Sequence, residues 1–144
     1  MIKGLYETHL NVENLELSID FYKNIIGLEF AMLEEKRRIA FFWIGKPKEF
    51  MLGLWEKQAE EMEKRHFTFR CDEEDILIRS VKYLKERSLE PYNFLNDETE
   101  KPMVFTWMPA LAIYFNDPDG NVLEFIAVLE GEANPELGVI SYEE

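Results

Sequence analysis

The sequence predicts an α+β domain of two tandem βαβββ modules, and three features predict it. A strand-like stretch, a helix and three more strand-like stretches run from residue 4 to residue 55, and much the same plan returns from residue 66 to residue 129. The presumptive first strands, ETHLNV and KRHFTF, carry the chain's two histidines. The closing strands of the second half are joined by Asp117-Pro118-Asp119-Gly120, a tight-turn sequence in which proline presets φ and glycine accepts a positive one.

Each element follows from local pattern. Residues 4–12 alternate, with Tyr6, Thr8, Leu10 and Val12 on one side and Leu5, Glu7, His9 and Asn11 on the other, as a half-buried strand requires. Asn14 is placed to cap a helix on which Leu17, Phe21, Ile25 and Leu28 recur at helical spacing, and Gly27 ends it. Strand-like runs follow at 28–33, 38–44 and 50–55, the last two separated by Gly45-Lys46-Pro47. Residues 57–63 are polar and read as a short linker.

In the second half, residues 66–70 alternate again, with Phe67 and Phe69 opposite His66, Thr68 and Arg70. Asp72 or Asp75 caps a second helix carrying Ile76, Ile78, Val81, Tyr83 and Leu84. A short extended piece (89–95) precedes a loop over 96–109, and strands at 110–115 and 121–129 close the unit. LSIDFYK pairs loosely with IRSVKYLK, IAFFWI with LAIYF, and FMLGLWE with NVLEFIA. A module of this size is too small to bury a core comfortably alone. The expected organisation is therefore one domain over 1–144, made of module 1 (about 1–57), module 2 (about 63–130) and a C-terminal tail.

Composition narrows the function. A net charge of −13 argues against nucleic acid and anionic membranes as partners, since both select basic faces. A single cysteine, Cys71, excludes an internal disulfide and a multi-thiolate zinc site and fits a reducing cytoplasm. No stretch approaches the roughly 20 apolar residues of a membrane span, and the N-terminus does not read as a signal peptide.

The chemistry centres on three residues. His9 and His66 stand at matching places in the two repeats, and neutral imidazole is the commonest protein ligand of transition metals. Glu124, flanked by Leu123 and Phe125, projects to the face opposite them. Two histidines and one carboxylate would hold a divalent ion (Mn, Ni, Zn or Fe) and leave positions open for substrate. Glu7 and Asn11 share the face of His9, while Thr68 and Arg70 share that of His66. Arg70 could clamp an anionic substrate group, and Tyr114, beside Glu124, could donate to a developing oxyanion. Trp107, with Met103, Phe105 and Met108, could form an apolar lid or a dimer contact.

His9 in ETHLNV, the phrase LELSIDFYKNIIGLEF, His66 in RHFTF and FNDPDGNVLEFI ending near Glu124 together resemble the vicinal oxygen chelate superfamily. That superfamily includes glyoxalase I, fosfomycin-resistance enzymes, bleomycin-resistance proteins and extradiol dioxygenases. The resemblance covers nearly the whole chain. It implies paired modules forming a curled mixed sheet around a metal-containing cleft, helices outside, often in a homodimer. Gly53 stands where many glyoxalase I enzymes have a fourth ligand, a glutamate, and Glu56 lies on the other face by strand parity. The expected function is metal-dependent chemistry on a small oxygen-rich molecule, as a lyase, an isomerase or a fosfomycin-type transferase or hydrolase. Two alternatives stand beside it: a metal-independent drug- or metabolite-binding protein, and an Fe(II) ring-cleaving dioxygenase.

Overall fold

The computed structural model describes residues 1–142. The chain divides into two compact units, one of residues 1–65 with 117–120 and one of 66–116 with 121–142 among the described residues. The fold is α+β, with two mixed sheets.

In the first unit, β1 (Glu7–Val12), β2 (Glu29–Glu34), β3 (Ile39–Ile44) and β4 (Phe50–Glu56) form a sheet in the order β1-β4-β3-β2. β1 and β4 run parallel; the other pairs are antiparallel. Alternation gives the sheet two faces. Leu10, Val12, Ala40, Phe42, Leu52 and Leu54, all buried, look toward helix α1 (Leu15–Asp20), which packs on β3 and β4. Glu7, His9, Phe41, Gly53 and Trp55 occupy the other face.

Asn14 caps α1 as the sequence predicts, its side chain accepting from the Leu17 N–H at 2.9 Å. Phe21 is buried as expected and Ile25 and Leu28 are half-buried, with Leu15, Ser18 and Tyr22 also inside, but Leu17 is 53% exposed. The predicted stripe begins on the wrong residue because the cap sets the helix phase and Leu15 enters the core immediately behind it. From Phe21 to Ile25 the helix widens into a π-turn before Gly27, at φ 85°, reverses the chain. Arg38 and Glu56 lock the same side. Arg38 Nε and Nη2 each lie 3.0 Å from a Glu56 oxygen, and Glu56 also accepts from the Leu15 N–H at 2.9 Å. The turn Asp117–Gly120 belongs to this unit: the Tyr22 hydroxyl donates to Asp117 Oδ2 at 2.7 Å, and Asp119 accepts from the Glu13 N–H at 3.0 Å.

The second unit repeats the plan with β5 (His66–Arg70), β6 (Met103–Phe105), β7 (Ala110–Asn116) and β8 (Val122–Val128), extended by β9 (Val139–Ser141), in the order β5-β8-β7-β6-β9. Here too the first strand runs parallel to the last strand of the module. A π-helical segment (Asp75–Ser80) continues as α2 (Val81–Glu86) and packs on β7 and β8 through buried Ile76, Ser80 and Leu84. Ile78, expected inside, is 69% exposed; the buried stripe is Ile76-Ser80-Leu84, and a residue two positions from Ile76 faces away from it. Residues 96–109, read as one loop, contain β6. Three β-favouring residues suffice there because the strand is paired on both sides, by β7 and by β9.

Two predictions test this framework. Tyr22→Phe, which deletes a buried hydroxyl donor, should cost about 1–2 kcal/mol in urea unfolding. The Arg38 guanidinium and the Leu15 N–H hold the Glu56 carboxyl below its usual value of 4.5. A depressed folded-state value makes that contribution complete above about pH 4.5 and loses it as pH falls through the folded-state value. Urea midpoints of the wild type and Glu56→Gln should therefore converge on acidification and separate toward neutrality.

Candidate metal half-site and its cavity

In the second unit, Thr68 and Tyr114 lie directly opposite Glu124 on its two neighbouring strands, and His66 lies opposite Val122. All of these side chains share one face of the sheet, because positions two apart on a strand point the same way. His66 Nε2 comes within 3.1 Å of Glu124 Oε2, and the Thr68 hydroxyl donates to that same oxygen at 3.0 Å. Glu124 is 3% exposed, and its other oxygen, Oε1, is buried with no hydrogen-bond partner among the described residues. Burial drives its carboxyl above the usual carboxylate range, against the opposing pull of Thr68 and His66.

The tautomer of His66 follows from its second contact. Nδ1 lies 2.9 Å from the Val122 carbonyl, which can only accept, so Nδ1 carries the hydrogen. In the neutral ring, Nε2 is then a bare lone pair facing a carboxylate oxygen. Two acceptors this close require a proton or a cation between them. A nitrogen donor, a carboxylate oxygen and an unsatisfied second oxygen, with the ring oriented by a backbone carbonyl, fit a divalent metal.

His9 is held in the opposite way. The indole N–H of Trp55 donates to His9 Nδ1, and His9 Nε2 lies 3.2 Å from Glu7 Oε1. Since the indole can only donate, Nδ1 accepts and Nε2 carries the hydrogen toward Glu7. Both ring nitrogens are engaged. Among the described residues no three His, Cys, Asp or Glu side chains lie together as a metal-binding group.

Register also corrects the repeat. Gly53 pairs with His9 and Phe41, as Glu124 pairs with Thr68 and Tyr114. With FMLGLWE set against NVLEFIA, Gly53 corresponds to Glu124, and register then makes His9 correspond to Thr68 and Glu7 to His66. The two histidines are displaced by two residues, not matched; a shift of two keeps the face, so alternation alone could not reveal it. Gly53 has a local reason as well. A Cβ there would stand 2.8 Å from His9 Nδ1, so the imidazole occupies the space a side chain would need. Glu56 is committed to Arg38 and Leu15 on the helix face, consistent with its predicted parity.

A cavity of about 610 Å³ opens beside His66. Tyr92, Phe94 and Tyr114 supply its aromatic lining, with Val122, Asn93 and Asn96 completing it. Tyr92 stacks on Tyr114 at 5.6 Å and 19°, and its hydroxyl donates to Asn116 at 2.7 Å. The Tyr114 hydroxyl has no hydrogen-bond partner among the described residues, and burial with the nearby Glu124 charge pushes it well above the usual phenol range. It therefore remains a donor at neutral pH. Trp107 stacks on Phe105 at 4.9 Å and meets Phe94 edge-on, backing the lining without joining it. Arg70 is exposed opposite Ile126 and is not among the lining residues, while Asn11 reaches the Glu61 carbonyl at 3.4 Å. The sequence reading missed Tyr92 and Phe94; their spacing of two in PYNF was the available signal.

The Gly53 pocket is directly testable. Gly53→Ala should displace the His9 ring, weaken its bond to Trp55 and destabilise the protein by about 1 kcal/mol. A change in the His9 imidazole NMR shifts, with a change in tryptophan emission, reports it.

Comparison with known proteins agrees with this architecture. A solved integron cassette protein, HFX_CASS4, from the mobile metagenome of the Halifax Harbour sewage outfall is 35% identical, with a TM-score of 0.74 over 88% of this chain and 100% of that one. The uncharacterized protein YraH of Bacillus subtilis (strain 168) is 27% identical over 87% of this chain and 98% of its own. FosX, a genomically encoded fosfomycin resistance protein from Listeria monocytogenes, shares 21% identity and a TM-score of 0.67 over 90% of this chain and 96% of that one, a likeness of fold alone. The model of the Glyoxalase/Bleomycin resistance protein/Dioxygenase superfamily matches residues 4–125, and the chain belongs to that family.

Proposed function

We propose that this protein is a metal-dependent enzyme acting on a small oxygen-bearing molecule, with His66 and Glu124 as two of the ligands. The observation that carries this reading is the His66 Nε2–Glu124 Oε2 approach of 3.1 Å beside a buried carboxylate oxygen without a partner among the described residues.

A bound divalent ion supplies Lewis acidity to vicinal oxygens of the substrate. The protein's own contributions are distinct. Val122 fixes the imidazole of His66, and Thr68 holds Glu124 in one orientation. Tyr114, kept protonated, donates to an oxygen of a molecule in the cavity. Lyase, isomerase and epoxide-opening reactions share these requirements. A homodimer in the cytoplasm is part of the same proposal, and no helix among the described residues is long and apolar enough to cross a membrane.

Titration with Mn²⁺, Ni²⁺, Zn²⁺ and Fe²⁺ tests the proposal. One ion should bind per chain, and His66→Ala and Glu124→Gln should abolish most of the affinity. Thr68→Ala, which removes only the support of Glu124, should cost about 10–100-fold. Wild-type protein that binds these metals no better than His66→Ala overturns the proposal.

A further inference from the structure

We infer that the cavity beside His66 selects a planar aromatic ring, held by Phe94 and Tyr92, with an oxygen substituent reaching Tyr114. This rests on the function proposed above and names the substrate class for that site.

Four observations point the same way. Phe94 lines the cavity yet is 55% exposed, a large apolar ring left open to whatever enters. It is held in place from behind: it meets Phe105 edge-on at 5.4 Å and Trp107 at 6.2 Å, and those two rings are themselves stacked. Tyr92 is fixed as well, by its stack on Tyr114, its backbone bridge to Tyr114 and its bond to Asn116. Rings held this rigidly lose little freedom when a ligand ring packs on them, which favours stacking. Finally, the lining holds no lysine or arginine among the described residues, and a buried carboxylate, Glu124, lies against His66. Without a bound metal ion, as in EDTA, an anionic ligand would meet this carboxylate with no counter-charge from the lining. Arg70, the cation that could have supplied one, stands outside the lining. A volume of about 610 Å³ holds two fused rings with room to spare.

Calorimetric titration in EDTA with 2-naphthol, 2-naphthoate and decahydro-2-naphthol separates the ring from the charge. The wild type should bind 2-naphthol about tenfold more tightly than either the carboxylate or the saturated alcohol. Phe94→Ala should weaken 2-naphthol about five- to tenfold, the range set by aromatic pairing, and Phe94→Leu should fall between. Phe94 is exposed, so both variants should fold, as circular dichroism will verify. Equal binding of the saturated alcohol, tighter binding of 2-naphthoate, or indifference to Phe94→Ala overturns the inference. Mn²⁺ titration of wild-type protein dialysed free of EDTA keeps the two readings apart. Naphthol binding without Mn²⁺ binding overturns the metal reading alone, and Mn²⁺ binding without naphthol selectivity overturns this one alone.

Discussion

Parallel pairing of the first strand of each module with its last strand determines what can meet on each sheet. An antiparallel hairpin would set partners by loop length, whereas here a helix and two strands intervene before the pairing closes. The helix must cover one face of the sheet, which commits Leu10, Phe42, Leu52 and Leu54 in the first unit and Leu123 and Ala127 in the second to the buried side. Alternation then forces Glu7, His9 and Gly53, or His66, Thr68 and Glu124, onto the other. The face that carries these polar groups is the consequence of where the core must be.

Glu124 shows how strongly the second sheet constrains its chemistry. A carboxylate at 3% exposure is costly unless its charge is matched. Thr68 and His66 both address one oxygen and leave the second alone, so the protein by itself compensates the group incompletely. A sheet this well packed has no need of a buried acid at its centre; an alanine or valine would fill the position at lower cost. An incompletely compensated buried carboxylate of this kind is what the proposed metal site would use.

Much of this was legible in the sequence, and the failures are specific. The strands, the cap at Asn14 and the turn at 117–120 rest on local chemistry, and local chemistry is written residue by residue. The helix stripes failed at single residues: the cap at Asn14 turns Leu17 outward, and Ile78, two residues from buried Ile76, faces away from the core. β6 was missed because a three-residue strand carries no period of its own and exists by its neighbours. Pairing of the two histidines failed for a deeper reason: parity reports a face and is blind to a shift of two. The shared face of His66 and Glu124 was readable from alternation; that Glu7, not His9, corresponds to His66 required the register.

The displacement has a chemical consequence. His9 and His66 sit on equivalent strands and equivalent faces, yet they are opposite tautomers. Val122 offers His66 an acceptor at Nδ1 and so frees Nε2; Trp55 offers His9 a donor at Nδ1 and so places the hydrogen on Nε2. Each second partner is set by register, and each determines whether a lone pair is available to an incoming cation. Gly53 completes the contrast. In the second sheet the corresponding position holds the carboxylate; in the first, the absence of a side chain lets an imidazole lie across the strand and saturate itself. The duplicated plan thus holds one open donor pair and one closed one, and the difference comes from a glycine and a two-residue offset.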